Sequence, residues 1–310
     1  MILVLGATGF LGKRVIKKLE ESNVSYHASS LSLGCDLMNY DHTNDLFKMI
    51  NPQYVINCSA FVGGIDFGYT YPADLFFKNT MMTVNILEAS KNHGIKRLIN
   101  PISNCAYPGE ASLFKESEFW NGPLHESVQV YGSVRKLSTI GSWAYAKQHN
   151  LDVMNLILSN MYGPGDHFEE KRSHALGALI MKMVKARIEE EEEVLVWGTG
   201  SPVREWLFVD DGAESLIRGL DIPKSLDPIN IGVGKGISIR ELANLIKSET
   251  RYEGNLVFDE TKPDGAPFKT VDGSIGKSIF NWSPEKDFIE GIKETVKWYE
   301  NSIEGMNNES

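Results

Sequence analysis

The first twelve residues constrain this chain more than any other stretch. Ile2-Leu-Val-Leu5 is a continuous β-rich run, and it passes straight into Gly6-Ala-Thr-Gly9-Phe-Leu-Gly12. Apolar residues then recur at helical spacing, at Leu11, Val15, Ile16 and Leu19. A strand that turns on glycine into a helix offers unpaired amides and the positive end of a helix dipole at one point. Gly6 permits the tight turn, Gly9 lets the backbone approach a pyrophosphate, and Gly12 lets helix pack close on strand. The GxxGxxG spacing reads as a dinucleotide cradle, with Thr8, Phe10 and Leu11 in the same loop.

A βαβ rhythm follows. Strands are predicted at 54–57, 97–101 and 153–158, and helices at about 45–50, 73–93 and 130–149. Strands alternating with helices of this length define a doubly wound parallel sheet of Rossmann type. Beyond Asn160 the rhythm breaks. A helix over 173–193 ends in five glutamates, which read as a solvated helix end or loop. Isolated strands are expected at 194–197 and 256–258, amphipathic helices at 239–247 and 288–299, and a frayed polar tail at 301–310. The division implied is a dinucleotide-binding domain of 1–160 plus about 205–232. A smaller interleaved α/β lobe takes about 161–204 plus 233–310.

Composition narrows the class. Against 31 Lys and Arg stand 41 Asp and Glu, a formal charge of −10, so nucleic acid and anionic membrane are not expected partners. No apolar run reaches the roughly 18 residues of a membrane span. The N-terminus enters its glycine turn within six residues and has no basic leader, which argues against a signal peptide. Cys35, Cys58 and Cys105 lack metal-ligand spacing, so no metal site is expected and reduced thiols in a cytoplasmic setting fit best.

Cofactor choice is open between NAD and NADP. An acid about 20 residues past the glycine loop selects NAD and a base selects NADP. Ser25-Tyr-His-Ala-Ser-Ser30 offers neither, although His27, Ser29 and Ser30 can hydrogen-bond a phosphate or a free hydroxyl. Asp36, in Cys35-Asp36-Leu37, is better placed for the adenine edge. The catalytic candidates are Ser103, Tyr131 and Arg135. A tyrosine serves as general acid or base in hydride chemistry when a cation favours its phenolate. Positions i and i+4 share a helix face, which selects Arg135; Lys136 is rotated about 100° away.

Further stretches extend the pattern along the chain. They are Ala60-Phe-Val-Gly-Gly64-Ile, Tyr71-Pro72-Ala73, Asn79-Thr-Met-Met82, Ser103-Asn-Cys105-Ala-Tyr107-Pro108 and Ser159-Asn160-Met-Tyr162-Gly-Pro164. Arg172-Ser173-His174, Val196-Trp197-Gly198, Arg204 to Asp211 and Thr261-Lys262-Pro263-Asp264-Gly265 continue it. With these residues the sequence resembles the extended short-chain dehydrogenases/reductases, and within them the GDP-L-fucose synthase group (GDP-4-keto-6-deoxymannose epimerase/reductases).

The resemblance implies NAD(P)-dependent hydride transfer at C4 of a nucleotide sugar, most naturally GDP-linked. Ser103 and Tyr131 would meet the C4 oxygen, while Cys105 and His174 would move protons at C3 and C5. Ser59, Ala60 and Asn79 would join the cofactor site. Asn160, Lys182, Trp197, Arg204 and Asp264 would hold the substrate, arginine suiting a diphosphate and Asp264 a guanine edge. It also implies a homodimer that pairs the helices at 73–93 and 130–149 across a two-fold axis, with Met81, Ile86, Leu137 and Ile140 as candidate surface. Three departures stand out: Arg135 in place of the family's lysine, Asn104 between Ser103 and Cys105, and Phe268 where a base is usual. The alternatives are C4 oxidation or epimerisation of another nucleotide sugar such as a GDP-heptose, and a non-catalytic NAD(P)-binding regulator. A 4,6-dehydratase is disfavoured, because Asn104-Cys105 cannot supply its Asp-Glu pair.

Overall fold

Four consecutive buried residues, Ile2–Leu5, form β1, as a strand covered on both faces must. The computed structural model describes residues 1–169 and 172–308, with side chains as far as Ile303. Phe10–Glu21 is α1, Tyr26–Ser29 is β2 and Tyr40–Ile50 is α2. Tyr54–Asn57 (β3) leads through Ile65–Thr70 (α3) and Pro72–Asn92 (α4) to Arg97–Ser103 (β4). Gln129–His149 is α5 and Val153–Leu158 is β5. All pairings in the central sheet are parallel, in the order β2-β1-β3-β4-β5 and then Ile229–Ile231, which closes the edge.

Helices cover both faces. Leu11, Val15 and Leu19 of α1 pack on one side, and Phe47, Ile86, Leu87 and Ala89 of α2 and α4 pack on the other. Asparagines take the left-handed position that ends α2 and α5, at Asn51 (φ 47°) and Asn150 (φ 54°).

The remaining elements correct the sequence reading in places. Asn160–Tyr162 is β6, Ala175–Ile188 is α6 and Glu193–Trp197 is β7. The glutamate run is therefore not helical throughout: α6 stops at Ile188, Glu190 turns the chain at φ 56°, and Glu193 already belongs to β7. Val203–Phe208 is β8, Val209–Arg218 is α7, Ile229–Ile231 becomes β9, Gly236–Ser238 is β10 and Ile239–Glu249 is α8. Asn255–Asp259 is β11, Phe268–Lys269 is β12, Ser274–Phe280 is α9 and Phe288–Asn308 is α10. The two strands expected to stand alone, β7 and β11, pair with each other in parallel. The expected frayed tail is helical as far as Asn308, and Glu309 and Ser310 lie outside the described residues. Among the described residues no helix is long and apolar enough to cross a membrane. β8 pairs with β6, β10 and β12, and a second core of Leu179, Ile180, Val184, Trp206, Leu242 and Val296 packs beside it.

Candidate active site

The sheet order reverses between β1 and β3, and the carboxyl ends of parallel strands at such a point open a crevice. A cleft of about 400 Å³ lies there, walled by the glycine loop, the turn after β3, the end of β4, the start of α5 and the approach to α6.

The glycine loop fits a dinucleotide for reasons visible in its packing. Gly6 has φ 70°, and a Cβ on it would lie 2.6 Å from the Cys58 carbonyl carbon. A Cβ on Gly12 would lie 2.2 Å from the Gly6 oxygen. Gly9 caps the start of α1 with no side-chain hydrogen bond, and no acid lies in the first turn, so the helix amides face the cleft mouth without a competing anion. The Asn57 Oδ1 accepts from the Ser59 amide (3.0 Å) and hydroxyl (2.5 Å), fixing the turn that presents Ser59 and Ala60 to the cleft.

Asn79 works one step back. Buried on α4, it donates to the Phe61 and Leu75 carbonyls (2.9 and 2.8 Å) and accepts from the Phe61 amide (3.0 Å). It pins the loop that follows Ala60 and does not line the cleft. Asp36 and Leu37 also lie outside the lining. The Asp36 Oδ1 accepts from the Met38 amide at 2.9 Å, and Leu37 is buried in the core.

Ser103, at the end of β4, accepts from the Cys105 amide at 3.2 Å. One turn apart on α5, the Arg135 Nη2 donates to the Tyr131 hydroxyl at 3.0 Å, and its guanidinium carbon is 4.9 Å from the ring centroid. Arg135 is only 5% exposed, and among the described residues its buried Nε has no partner. Lys136 points elsewhere, its ammonium 5.4 and 5.3 Å from the Phe119 and Trp120 ring centroids.

Cys105 and His174 line the same cleft as Ser103 and Tyr131. Burial, helped by the neighbouring Lys269 and His167, holds the His174 imidazole down to about 4, so it is neutral at ordinary pH. Sequence reasoning missed Lys269, whose ammonium donates to the Cys105 Sγ at 3.4 Å. No local pattern marks it; the β12–β8 register sets it opposite Arg204. Asp166, His167 and Arg172 were missed too. The Asp166 carboxyl is nine-tenths buried, which pushes it up to about 7 even though it accepts from the His167 amide at 2.7 Å.

Of the expected substrate residues, Asn160 lines the cleft and donates to the Glu205 carbonyl at 3.0 Å. Arg204 lies just beyond the wall. Its Nη2 donates to the Asp264 carbonyl, and a Cβ on Gly265 would meet both Arg204 and the cleft residue Ile65. Asp264 turns its carboxylate to Thr199, accepting from the amide and the hydroxyl at 2.8 Å each. Trp197 is 44% exposed, with the Lys182 and Lys262 ammoniums 5.9 and 5.3 Å from its ring centroid. Lys182 also donates to the Leu195 carbonyl at 2.9 Å. Lys182, Trp197 and Asp264 lie outside the cleft lining.

A nucleotide cradle that faces a tyrosine backed by a cation is the layout of NAD(P)-dependent short-chain dehydrogenases/reductases. The chain belongs to the NAD-dependent epimerase/dehydratase family, whose family model matches residues 2–232. It is 36% identical to GDP-L-fucose synthase 1 of Arabidopsis thaliana, over 96% of this chain and 92% of that one. Among solved structures it resembles a GDP-L-fucose synthetase from Naegleria fowleri bound to NADP. The TM-score there is 0.89 at 29% identity, covering 98% and 93% of the two chains. A GDP-mannoheptose C4 reductase from Campylobacter jejuni with NADP bound gives a TM-score of 0.86 at 25% identity, covering 96% and 98%. The chain is accordingly an NAD(P)-dependent enzyme.

Proposed function

We propose that this enzyme reduces the C4 ketone of a GDP-linked keto sugar and exchanges protons at the carbons beside it. The observation that carries the reading is the 3.0 Å contact between Arg135 and the Tyr131 hydroxyl, in one cleft with Ser103, Cys105 and His174. The similarity to GDP-L-fucose synthases and a GDP-mannoheptose C4 reductase supports the GDP-sugar assignment.

Bound NAD(P)H supplies the hydride. As C4 receives it, the Tyr131 hydroxyl gives its proton to the C4 oxygen, and Arg135 takes up the charge left on the phenol oxygen. The Ser103 hydroxyl donates to that same oxygen, its Oγ oriented by the Cys105 amide. The guanidinium presents a planar cationic fork to the phenol oxygen. Carbons next to a ketone are acidic, and inverting them takes a base on one face and an acid on the other; Cys105 and His174 take those roles. Arg204 and Trp197 extend the site towards the nucleotide diphosphate. The three free cysteines fit a cytoplasmic setting.

The same site run on a GDP-heptose is the second reading, favoured by the GDP-mannoheptose C4 reductase relative. Nicotinamide absorbance, followed with GDP-, UDP- and dTDP-linked 4-keto sugars, tests both. Consumption of NADH or NADPH with a GDP-linked sugar is expected. Turnover only with UDP or dTDP sugars, or with none, contradicts the proposal.

A further inference from the structure

The carboxyl end of β2 is where this fold meets the 2′ position of the adenosine ribose, and there a carboxylate selects NAD and a guanidinium selects NADP. In this chain the place is filled by hydroxyls. Thr8 Oγ1 and Ser32 Oγ are 3.0 Å apart, and Ser32 Oγ lies 3.0 Å from Ser30 Oγ. The Ala7 amide donates to the Ser29 carbonyl at 3.0 Å, so the cluster is tied directly to the glycine loop. Ser30 is buried, while Thr8 and Ser32 open to solvent. Neither 6–12 nor 27–34 contains Lys, Arg, Asp or Glu. The nearest acid along the chain, Asp36, has one carboxylate oxygen engaged by the Met38 amide.

We propose that Thr8, Ser30 and Ser32 receive the 2′ end of the cofactor and accept NAD and NADP with nearly equal affinity. The inference rests on the NAD(P) assignment and extends it. A hydroxyl both donates and accepts. It can give a hydrogen bond to a 2′-phosphate, or take one from a free 2′-hydroxyl. With no charge in the cluster, neither form meets a like or an opposite charge; the stronger hydroxyl bonds to an ionised 2′-phosphate are set against the cost of removing that charge from water. Leu31 and Leu33, 70% and 58% exposed, lie on the turn that carries Ser32 and offer apolar surface beside it.

Titration calorimetry with NADH and NADPH on the intact protein tests this without turnover. The two Kd values should agree within about tenfold, because the charge-assisted bonds to a 2′-phosphate are offset by the desolvation of its charge. A wider gap in either direction overturns the proposal. Ser32→Arg should favour NADPH over NADH by about tenfold or more, and Ser32→Asp should reverse that preference. If neither substitution moves the ratio, the 2′ end lies elsewhere and the proposal fails. Absence of binding by either cofactor would overturn the NAD(P) assignment as well. Loss of catalysis with normal binding would leave this inference standing.

Discussion

At Tyr131 the chemistry rests on one distance, the 3.0 Å to a guanidinium one helical turn away. Tyr131→Phe should lower kcat by about 100-fold or more while leaving the Kd for NADPH within a few-fold. Steady-state kinetics and calorimetry on the same preparation check both halves. For Arg135, a lysine restores a cation without the planar fork, whereas methionine leaves none. Arg135→Lys is expected to keep kcat within about tenfold, and Arg135→Met to lose about 100-fold. Equal kcat in all three proteins would place the guanidinium outside the reaction. Two groups in the cleft carry opposite pH signatures. The Asp166 carboxyl, pushed up from 3.8 to about 7, contributes stability that is complete at acid pH and lost as pH rises to 7. The His174 imidazole, held down from 6.5 to about 4, contributes stability present above 6.5 and lost as pH falls to 4. Asp166→Asn should therefore gain on the wild type between about pH 5 and about pH 8, by up to about 1.4 kcal/mol per pH unit below 7. His174→Gln should gain in the acid direction. Urea melts at both pH values decide it, and a pH-independent difference contradicts the assignment.

Among the elements, the loop from Gly6 to Gly12 is where sequence and geometry agree most closely. Gly12→Ala would drive a Cβ to 2.2 Å from a backbone oxygen that cannot step aside. It should cost more than about 2 kcal/mol and abolish NADPH binding. Gly94→Ala, at a left-handed φ of 59° but facing open space, should cost about 1–2 kcal/mol and leave binding intact. Thermal melts and calorimetry on the pair separate the two causes. Elements with strong local signals were legible: β1, β3 and β5 have the bounds their apolar runs suggest, and α4 and α5 lie within a residue of theirs. β2 was not, because Tyr26-His-Ala-Ser is a half-polar edge strand with a single neighbour. β8 hides Arg204 and Glu205, charged residues that become buried only through long-range partners: Ser159, Val233 and Val271 hydrogen-bond the Glu205 carboxylate. The pairing of β7 with β11 joins segments 62 residues apart, and such contacts leave no periodicity to read. Lys269 escaped notice for the same reason. Its two-residue strand acquires meaning only from its register with β8.

At the scale of the molecule, α4 and α5 lie against each other and turn an apolar face outward. Phe76, Phe77, Val84, Leu137, Ile140 and Trp143 are each at least 40% exposed there. Ile86, expected on that face, is buried in the sheet core, because its helix position points inward. An exposed patch of this kind marks an interface. We propose that a second copy of the chain covers it, giving a homodimer. Light scattering at micromolar concentration should return twice the chain mass, and Ile140→Glu should return the monomer; a wild-type monomer contradicts the claim. The account as a whole stands on hydride delivery to C4 of a GDP-linked sugar. Incubating the enzyme with a GDP-linked 4-keto sugar and nicotinamide-deuterated NADPH or NADH, then mapping deuterium in the product, tests it most directly. One deuterium at C4 is the predicted result; a product with deuterium at any other carbon, or with none, contradicts it.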